Sequence, residues 1–153
     1  RDSGYIAVEC GIGGGAEFVM VPETETDLKK VVKSLKNLRK SKSSSIIVVA
    51  EGDEEGNAEV IMDQVKNKVN DEDKEFKVTT LGHIQRGGNP TARDRVLASR
   101  CGMAAVEGLM QGQSNCMAGV VNGDVTYTSF EDCIGKTKPI KGDHLKLIEI
   151  LSI

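Results

Sequence analysis

Short apolar runs rich in β-branched residues alternate along this chain with longer segments whose apolar residues recur at helical spacing. Ile46–Ala50 and Met117–Val121 are continuous apolar runs, which favours strands covered on both faces over strands with one face in water. Phe76–Leu81 predicts a further strand, and Val125–Thr128 a short one. Strands that alternate with helices predict an α/β fold, with a mainly parallel sheet and helices on both of its faces.

Helical spacing recurs in four segments. The segment that starts near Thr26 has acidic residues at its beginning and basic residues at its end, as the helix dipole favours, and Asn57 predicts the cap of the next helix. A long helix is predicted from about Thr91. Their apolar positions are Leu28, Val31, Val32, Leu35 and Leu38; Ala58, Ile61, Val65 and Val69; Val96, Met103, Val106 and Met110; and Leu145, Leu147, Ile148 and Leu151. The N-terminal segment, with Gly13–Gly15 before Phe18–Val21, predicts a helix, a break and a strand.

Composition narrows the function classes. A chain of 153 residues with 39% hydrophobic residues can form one packed core. Its net charge of -3 gives no reason to expect a nucleic-acid partner, and 3% aromatic residues argue against base stacking. No apolar run approaches the ~20 residues that span a bilayer, so we expect a soluble protein without a membrane partner.

The cysteines predict neither disulfides nor a metal site. Cys10, Cys101, Cys116 and Cys133 are widely spaced, without a CxxC pair or a nearby histidine. Reduced thiols predict the cytoplasm.

Candidate binding residues follow two of the predicted strands. In α/β sheets ligands bind beyond the carboxyl ends of the strands, which here lead into Glu51 and into Gly82–Gly88. The second segment holds His83 and Arg86 in a glycine-rich loop, and a guanidinium and an imidazole in such a loop suit a phosphate. The alternative is structural, with Arg86 paired to Glu51 or Asp94 to fix the turn.

The stretch Leu81–Gly102 closely resembles a segment of the phosphofructokinase family. It reads GHIQRGG, then NP, DR, LA, R and G in the order of that family. Three flanking segments are also similar: Gly14–Glu23 to an "EFVVVPE"-like strand, Ile46–Glu51 to the strand that ends in a sugar-binding glutamate, and Pro139–Asp143 to an "RPFKGD"-like segment. The resemblance covers essentially the whole chain and implies the fold of the family's C-terminal, sugar-phosphate-binding half.

This resemblance implies roles for five residues in binding fructose 6-phosphate. His83 and Arg86 would bind the 6-phosphate, and Glu51 would accept hydrogen bonds from sugar hydroxyls. Arg1 would close the family's "MGR" turn, although the preceding Met and Gly are absent here. Lys77 would replace the arginine that a neighbouring subunit sends into the phosphate site. The lysine would keep the positive charge but lose the planar, forked guanidinium group. An ordinary solvated strand residue is the alternative for Lys77.

Bacterial members of the family also carry an effector site between subunits. The resemblance implies Glu17 for a magnesium ion and Lys40 and Lys42 for a diphosphate. The alternative is a solvated lysine cluster at a helix end.

The sequence lacks the family's motifs for the phosphate donor and the catalytic base. Neither a "GGDG"-like phosphate loop nor a "TIDND"-like loop occurs, and Gly13–Gly15 precedes a strand rather than a helix N-terminus. We therefore expect residues 1–153 to be one partial domain, the fructose 6-phosphate half, without catalytic residues or the nucleotide-binding half. The start at Arg1 favours a truncated parent enzyme over the alternative, a stand-alone, non-catalytic sugar-phosphate-binding module.

The parent enzyme implied by the resemblance is a 6-phosphofructokinase of glycolysis. It would transfer a phosphoryl group from ATP, or from pyrophosphate, to the 1-hydroxyl of fructose 6-phosphate with the help of Mg²⁺. Its donor and metal sites would lie mostly outside this chain. The family's tetramers or dimers imply a homo-oligomer.

Overall fold

The computed structural model describes residues 2–37 and 44–151, except for the side chains of 149 and 151. The chain divides into two compact units, Arg1–Thr80 with Thr137–Ile153, and Leu81–Lys136. The two units combine helices with a parallel pair of strands and a hairpin, so the predicted α/β class is confirmed. The assignment to one partial domain stays a prediction.

The first unit is a short parallel sheet between two pairs of helices. Strands β1 and β2 pair in parallel, with Phe18 opposite Ile47 and Met20 opposite Val49. In chain order the elements are α1 (Tyr5–Gly14), β1 (Phe18–Met20), α2 (Leu28–Lys36), β2 (Ile47–Val49), α3 (Ala58–Val69) and α6 (Gly142–Leu151).

The apolar residues of the first unit form two cores. The first joins α2 and α3 to β1 and holds the buried residues Met20, Leu28, Val31, Leu35, Ile61, Val65 and Val69. The second joins α1 and α6 to the ends of β1 and β2 and holds Ala7, Val8, Val21, Ala50 and Ile148. Alternate strand residues pack against each core, which confirms that helices cover both faces of the parallel pair.

Local chemistry accounts for the ends of these helices. The Asp27 carboxylate accepts the Lys29 and Lys30 N–H groups at 2.9 and 3.3 Å, which starts α2. The predicted Asn57 cap is confirmed, since its Oδ1 accepts the Val60 N–H at 3.1 Å. Helix α1 ends at Gly15, whose φ of 68° lies in the left-handed region that glycine adopts without strain.

The second unit is a long helix packed on a β-hairpin. Its elements are a 3₁₀ turn (His83–Arg86), α4 (Ala92–Met110), β3 (Cys116–Val121), β4 (Asp124–Ser129) and α5 (Phe130–Cys133). The predicted long helix from Thr91 is confirmed, with Thr91 as its N-cap. The Tyr127 hydroxyl of β4 donates to the Ala104 carbonyl of α4 at 2.6 Å and ties the two layers together.

The predicted strand at Met117–Val121 is present but is not buried on both faces. Met117 and Val121 are about half exposed, at 48% and 54%. Asn122 and Gly123, with φ of 52° and 93°, turn the chain straight back, so β3 pairs antiparallel with β4. A two-residue Asn-Gly turn of this kind makes a hairpin, and one face of a hairpin commonly meets water.

The predicted strand at Phe76–Leu81 is wrong. Phe76 packs against the first core, and burial alternates from Phe76 to Thr79 as in a strand, but Thr80 and Leu81 are both exposed. A ladder also requires a neighbouring strand, and none in the described chain pairs with this segment.

None of the helices in the described ranges combines the length and the apolarity that crossing a bilayer requires.

Candidate functional site

Glu51 lies where β2 ends, as the sequence predicted, on a tight turn. The Asp53 N–H donates to the Ala50 carbonyl and the Gly56 N–H to the Asp53 carbonyl, both at 3.1 Å. Glu51 itself is exposed. The structure thus presents this carboxylate to solvent at the carboxyl end of the parallel pair, where α/β proteins bind ligands.

Asp53 anchors this turn, and the sequence analysis missed it. Its side chain is only 5% exposed; Oδ2 accepts the Thr26 hydroxyl at 2.7 Å and Oδ1 accepts the Glu55 N–H at 3.0 Å. The Thr26 N–H also donates to a Glu54 carboxylate oxygen. The loop that follows β1 is therefore fixed to the turn that carries Glu51. An aspartate two residues before the N–H that it accepts is a recognisable turn signal.

His83 and Arg86 occupy a single 3₁₀ turn between glycines. The Gln85 N–H donates to the Gly82 carbonyl and the Gly87 N–H to the Ile84 carbonyl, both at 3.1 Å. The Gln85 side-chain amide also donates to the Leu81 carbonyl. Gly87 has φ of 88°, a conformation that other residues rarely adopt, so the glycine shapes the exit from the turn.

Both side chains face solvent, and neither has an ion-pair partner within the described ranges. The alternative in which Arg86 pairs with Asp94 is not what the structure shows. The Asp94 carboxylate instead binds Thr91, where Oδ2 accepts both the backbone N–H and the hydroxyl at 2.8 Å. Arg86 and His83 are free to meet an anion from outside the loop.

A capping box supports the loop from its C-terminal side. Thr91 Oγ1 accepts the Asp94 N–H at 3.3 Å, while Asp94 accepts from Thr91 as described above. Hydrogen bonds from Thr91, with a smaller contribution from the Arg93 charge, lower the pKa of Asp94 below its ordinary value. An ionised carboxylate therefore holds the first turn of α4 at neutral pH.

Lys77 is exposed and pairs with its neighbour Glu75 at 3.2 Å. An ion pair between two side chains about 78% exposed contributes little, so it would yield readily to a phosphate.

Glu17 is buried, at 7% exposure, and helps to begin β2. Its Oε2 accepts the Ile46 N–H at 2.6 Å, and its own N–H donates to the Ile46 carbonyl at 3.0 Å. Its carboxylate thus has a structural task beside the effector role that the resemblance implies. The other residues implied for that site, Lys40 and Lys42, lie outside the described residues, as does Arg1.

The predicted site residues fall into two groups. His83 and Arg86 share one turn of the second unit, whereas Glu51 and Lys77 belong to the first. The structure also contains, within residues 2–37 and 44–151, no group of three or more His, Cys, Asp or Glu side chains arranged to hold a metal ion.

Comparisons with known proteins point to one family. The sequence pattern described as "Phosphofructokinase" matches residues 1–109. An ATP-dependent 6-phosphofructokinase of Cytophaga hutchinsonii is 50% identical over 153 residues, which is 99% of this chain and 46% of that protein. One of Thermus thermophilus is 44% identical over 154 residues, or 100% of this chain and 47% of that protein.

A solved structure shows the same fold. The crystal structure of Pichia pastoris phosphofructokinase in the T-state superposes with a TM-score of 0.71 at 24% identity, over 86% of this chain and 16% of that one. The chain spans about half the length of the curated relatives that it matches.

Proposed function

The chain belongs to the phosphofructokinase family, and on that premise we propose that it is the fructose 6-phosphate-binding half of an ATP-dependent 6-phosphofructokinase. The parent enzyme would transfer the terminal phosphoryl group of ATP to the 1-hydroxyl of fructose 6-phosphate. The names of the relatives from Cytophaga hutchinsonii, Bacteroides thetaiotaomicron and Thermus thermophilus specify ATP, which favours ATP over pyrophosphate.

The 3₁₀ turn with its two exposed cationic side chains carries this proposal. Arg86 has a planar fork that fits two phosphate oxygens, and His83 lies one turn away with its imidazole open to solvent. Glycines on both sides let the backbone approach the ligand. We propose that these two residues bind the 6-phosphate of the sugar.

Glu51 would orient the sugar ring. Its carboxylate can accept hydrogen bonds from hydroxyls, and the anchored turn at Asp53 limits its movement, which lowers the entropy lost on binding. Lys77 would add a charge to the phosphate site of a neighbouring subunit in a homo-oligomer.

The chemistry itself would require groups outside this chain. Phosphoryl transfer requires a carboxylate at the attacking hydroxyl and a metal-bound donor, and the parent's Mg²⁺ would supply charge neutralisation on the ATP phosphates. This half binds and orients the acceptor.

Calorimetric titration of the chain with fructose 6-phosphate tests the proposal. Arg86→Ala should weaken binding at least about tenfold, since it removes a charge-assisted contact to the phosphate. Arg93→Ala is the matched control: it removes the same charge from an exposed position in the same unit and should leave the affinity within about threefold. Equal effects of the two substitutions would contradict the assignment of Arg86 to the 6-phosphate.

A further inference from the structure

A shallow cavity that is open to solvent lies along α2 and α3 of the first unit. It has a volume of about 520 Å³, within the range of small-molecule sites, and is lined by Lys29, Val32, Lys33, Lys36, Asn37 and Lys68. None of these residues is among those assigned to the sugar phosphate or to the effector site. The cavity is therefore a feature that the proposed function leaves unexplained.

Four exposed lysines surround this cavity. Lys29, Lys33 and Lys36 follow one face of α2, and Lys68 joins them from α3. Among the described residues no acidic side chain lines the cavity, and none of the four ammonium groups forms an ion pair there. The sequence of residues 38–43 also contains no Asp or Glu. A chain with a net charge of -3 thus leaves the ammonium groups of four neighbouring lysines without an ion-pair partner among the described residues.

Helix dipoles account for three of these lysines but not for the fourth. Lys33 and Lys36 lie in the last turn of α2 and Lys68 in the last turn of α3, where a cation is favourable. Lys29 is the second residue of α2, near the positive end of the dipole, where a cation is unfavourable. The Asp27 carboxylate at the N-cap offsets part of this cost, and the helix dipole itself gives no reason for a cation at Lys29.

We propose that this cavity binds a small ligand that carries a chain of phosphates. Lysine ammonium groups bind phosphate oxygens as point charges, and several together match a multiply charged anion. The half-buried Val32 and the methylene stems of the lysines provide an apolar floor for an organic group joined to the phosphates. A nucleoside triphosphate and inorganic triphosphate share the chemistry that the lysines recognise.

The test is calorimetric titration with inorganic triphosphate and, separately, with ATP. Every variant carries Arg86→Ala, so that the proposed sugar-phosphate loop does not contribute. Lys29→Gln/Lys68→Gln should weaken binding about tenfold, because two phosphate contacts are lost. The matched control, Lys30→Gln/Lys66→Gln, removes the same charge from exposed neighbours on the same two helices and should change the affinity less than threefold.

Comparing the two ligands distinguishes a site for a nucleoside triphosphate from a site for the phosphate chain alone. Tighter binding of ATP would show that the apolar floor seats the base, and equal binding would assign the site to the phosphate chain alone. The proposal would be overturned if the chain that carries Arg86→Ala alone bound neither ligand. It would also be overturned if the control variant lost as much affinity as Lys29→Gln/Lys68→Gln. Since fructose 6-phosphate plays no part, this outcome is independent of the proposed sugar-phosphate function.

Discussion

Two glycines of α4 differ in what a methyl group would meet. A Cβ at Gly108 would lie 2.6 Å from Tyr127 Cε1, whereas at Gly102 nothing lies within 4 Å. Gly102→Ala should raise the unfolding free energy by up to about 1 kcal/mol through helix propensity. Gly108→Ala gains the same propensity but overpacks the helix against the hairpin at a cost of about 1–3 kcal/mol, so a net loss is expected.

Urea unfolding, monitored by circular dichroism, measures the unfolding free energy of both glycine variants. An equal gain for the two alanines would show that Tyr127 moves aside without cost, contrary to its hydrogen bond with Ala104.

Asp53 provides a second test on a single residue. Asp53→Ala leaves the Thr26 hydroxyl and the Glu55 N–H without their acceptor in a part-buried turn, and should lower the unfolding free energy by about 1–3 kcal/mol. Thr26→Val removes only the hydroxyl. In a double-mutant cycle the two losses should be less than additive, and strict additivity would mean that the hydroxyl contact contributes nothing.

Residue patterns identified the cationic loop but not the residues that support it. His83 and Arg86 stand in a contiguous motif between glycines, so the sequence pointed to them directly. Asp53 and Glu17 act through partners 27 and 29 residues away, and no local pattern reveals such contacts. The local turn at Asp53 has a sequence signal, but the long-range contacts of these two buried carboxylates were visible only in the structure.

At the scale of elements, the capping box of α4 makes the loop sensitive to acid. The pKa of Asp94 is lowered by Thr91, so the folded state binds this proton less readily than the unfolded state. The stabilisation is fully present above the unfolded pKa, near 3.8, and is lost as the pH falls through the lower folded value. A carboxyl NMR titration should place Asp94 below its ordinary value, and Thr91→Ala should return it close to that value.

An unchanged Asp94 titration in the Thr91→Ala variant would contradict the assignment. Asp132 is an internal control: its pKa is lowered by Lys136 and by Ser129, so the Thr91 substitution should leave it unaffected.

Secondary-structure elements were predictable from the sequence where residues within the same segment determine the structure. The helices follow from apolar spacing and caps, as at Asn57 and Thr91. A strand depends on a partner elsewhere in the chain, which explains the error at Phe76–Leu81. The Asn122-Gly123 turn was the available signal for the hairpin, and weighing it would have predicted the antiparallel pair.

For the whole molecule, we expect an apolar stripe on α4 to influence behaviour in solution. The predicted alignment of Val96, Met103, Val106 and Met110 holds, yet these side chains are 58–83% exposed. Such a stripe should bind a dye for apolar surface and promote association. Met103→Gln/Met110→Gln should reduce dye fluorescence at least about twofold, whereas Ile84→Gln/Ile134→Gln, equally exposed but off the stripe, should change it little.

Sedimentation over a range of concentrations checks the same point. A chain that stays monomeric and binds no dye would show that the stripe is covered in solution.

The order in which the ribosome delivers the two units follows from their boundaries. The first unit is interrupted, because α6 completes its second core only after the whole of residues 81–136. Synthesis at ~5–20 residues per second would delay Ile148 by roughly 4–16 s after Val69, the end of α3, has been synthesised. During that interval Val8 and Val21 lack their helical cover, so the nascent chain is most exposed to chaperones and proteases on the α1 side of the parallel strands.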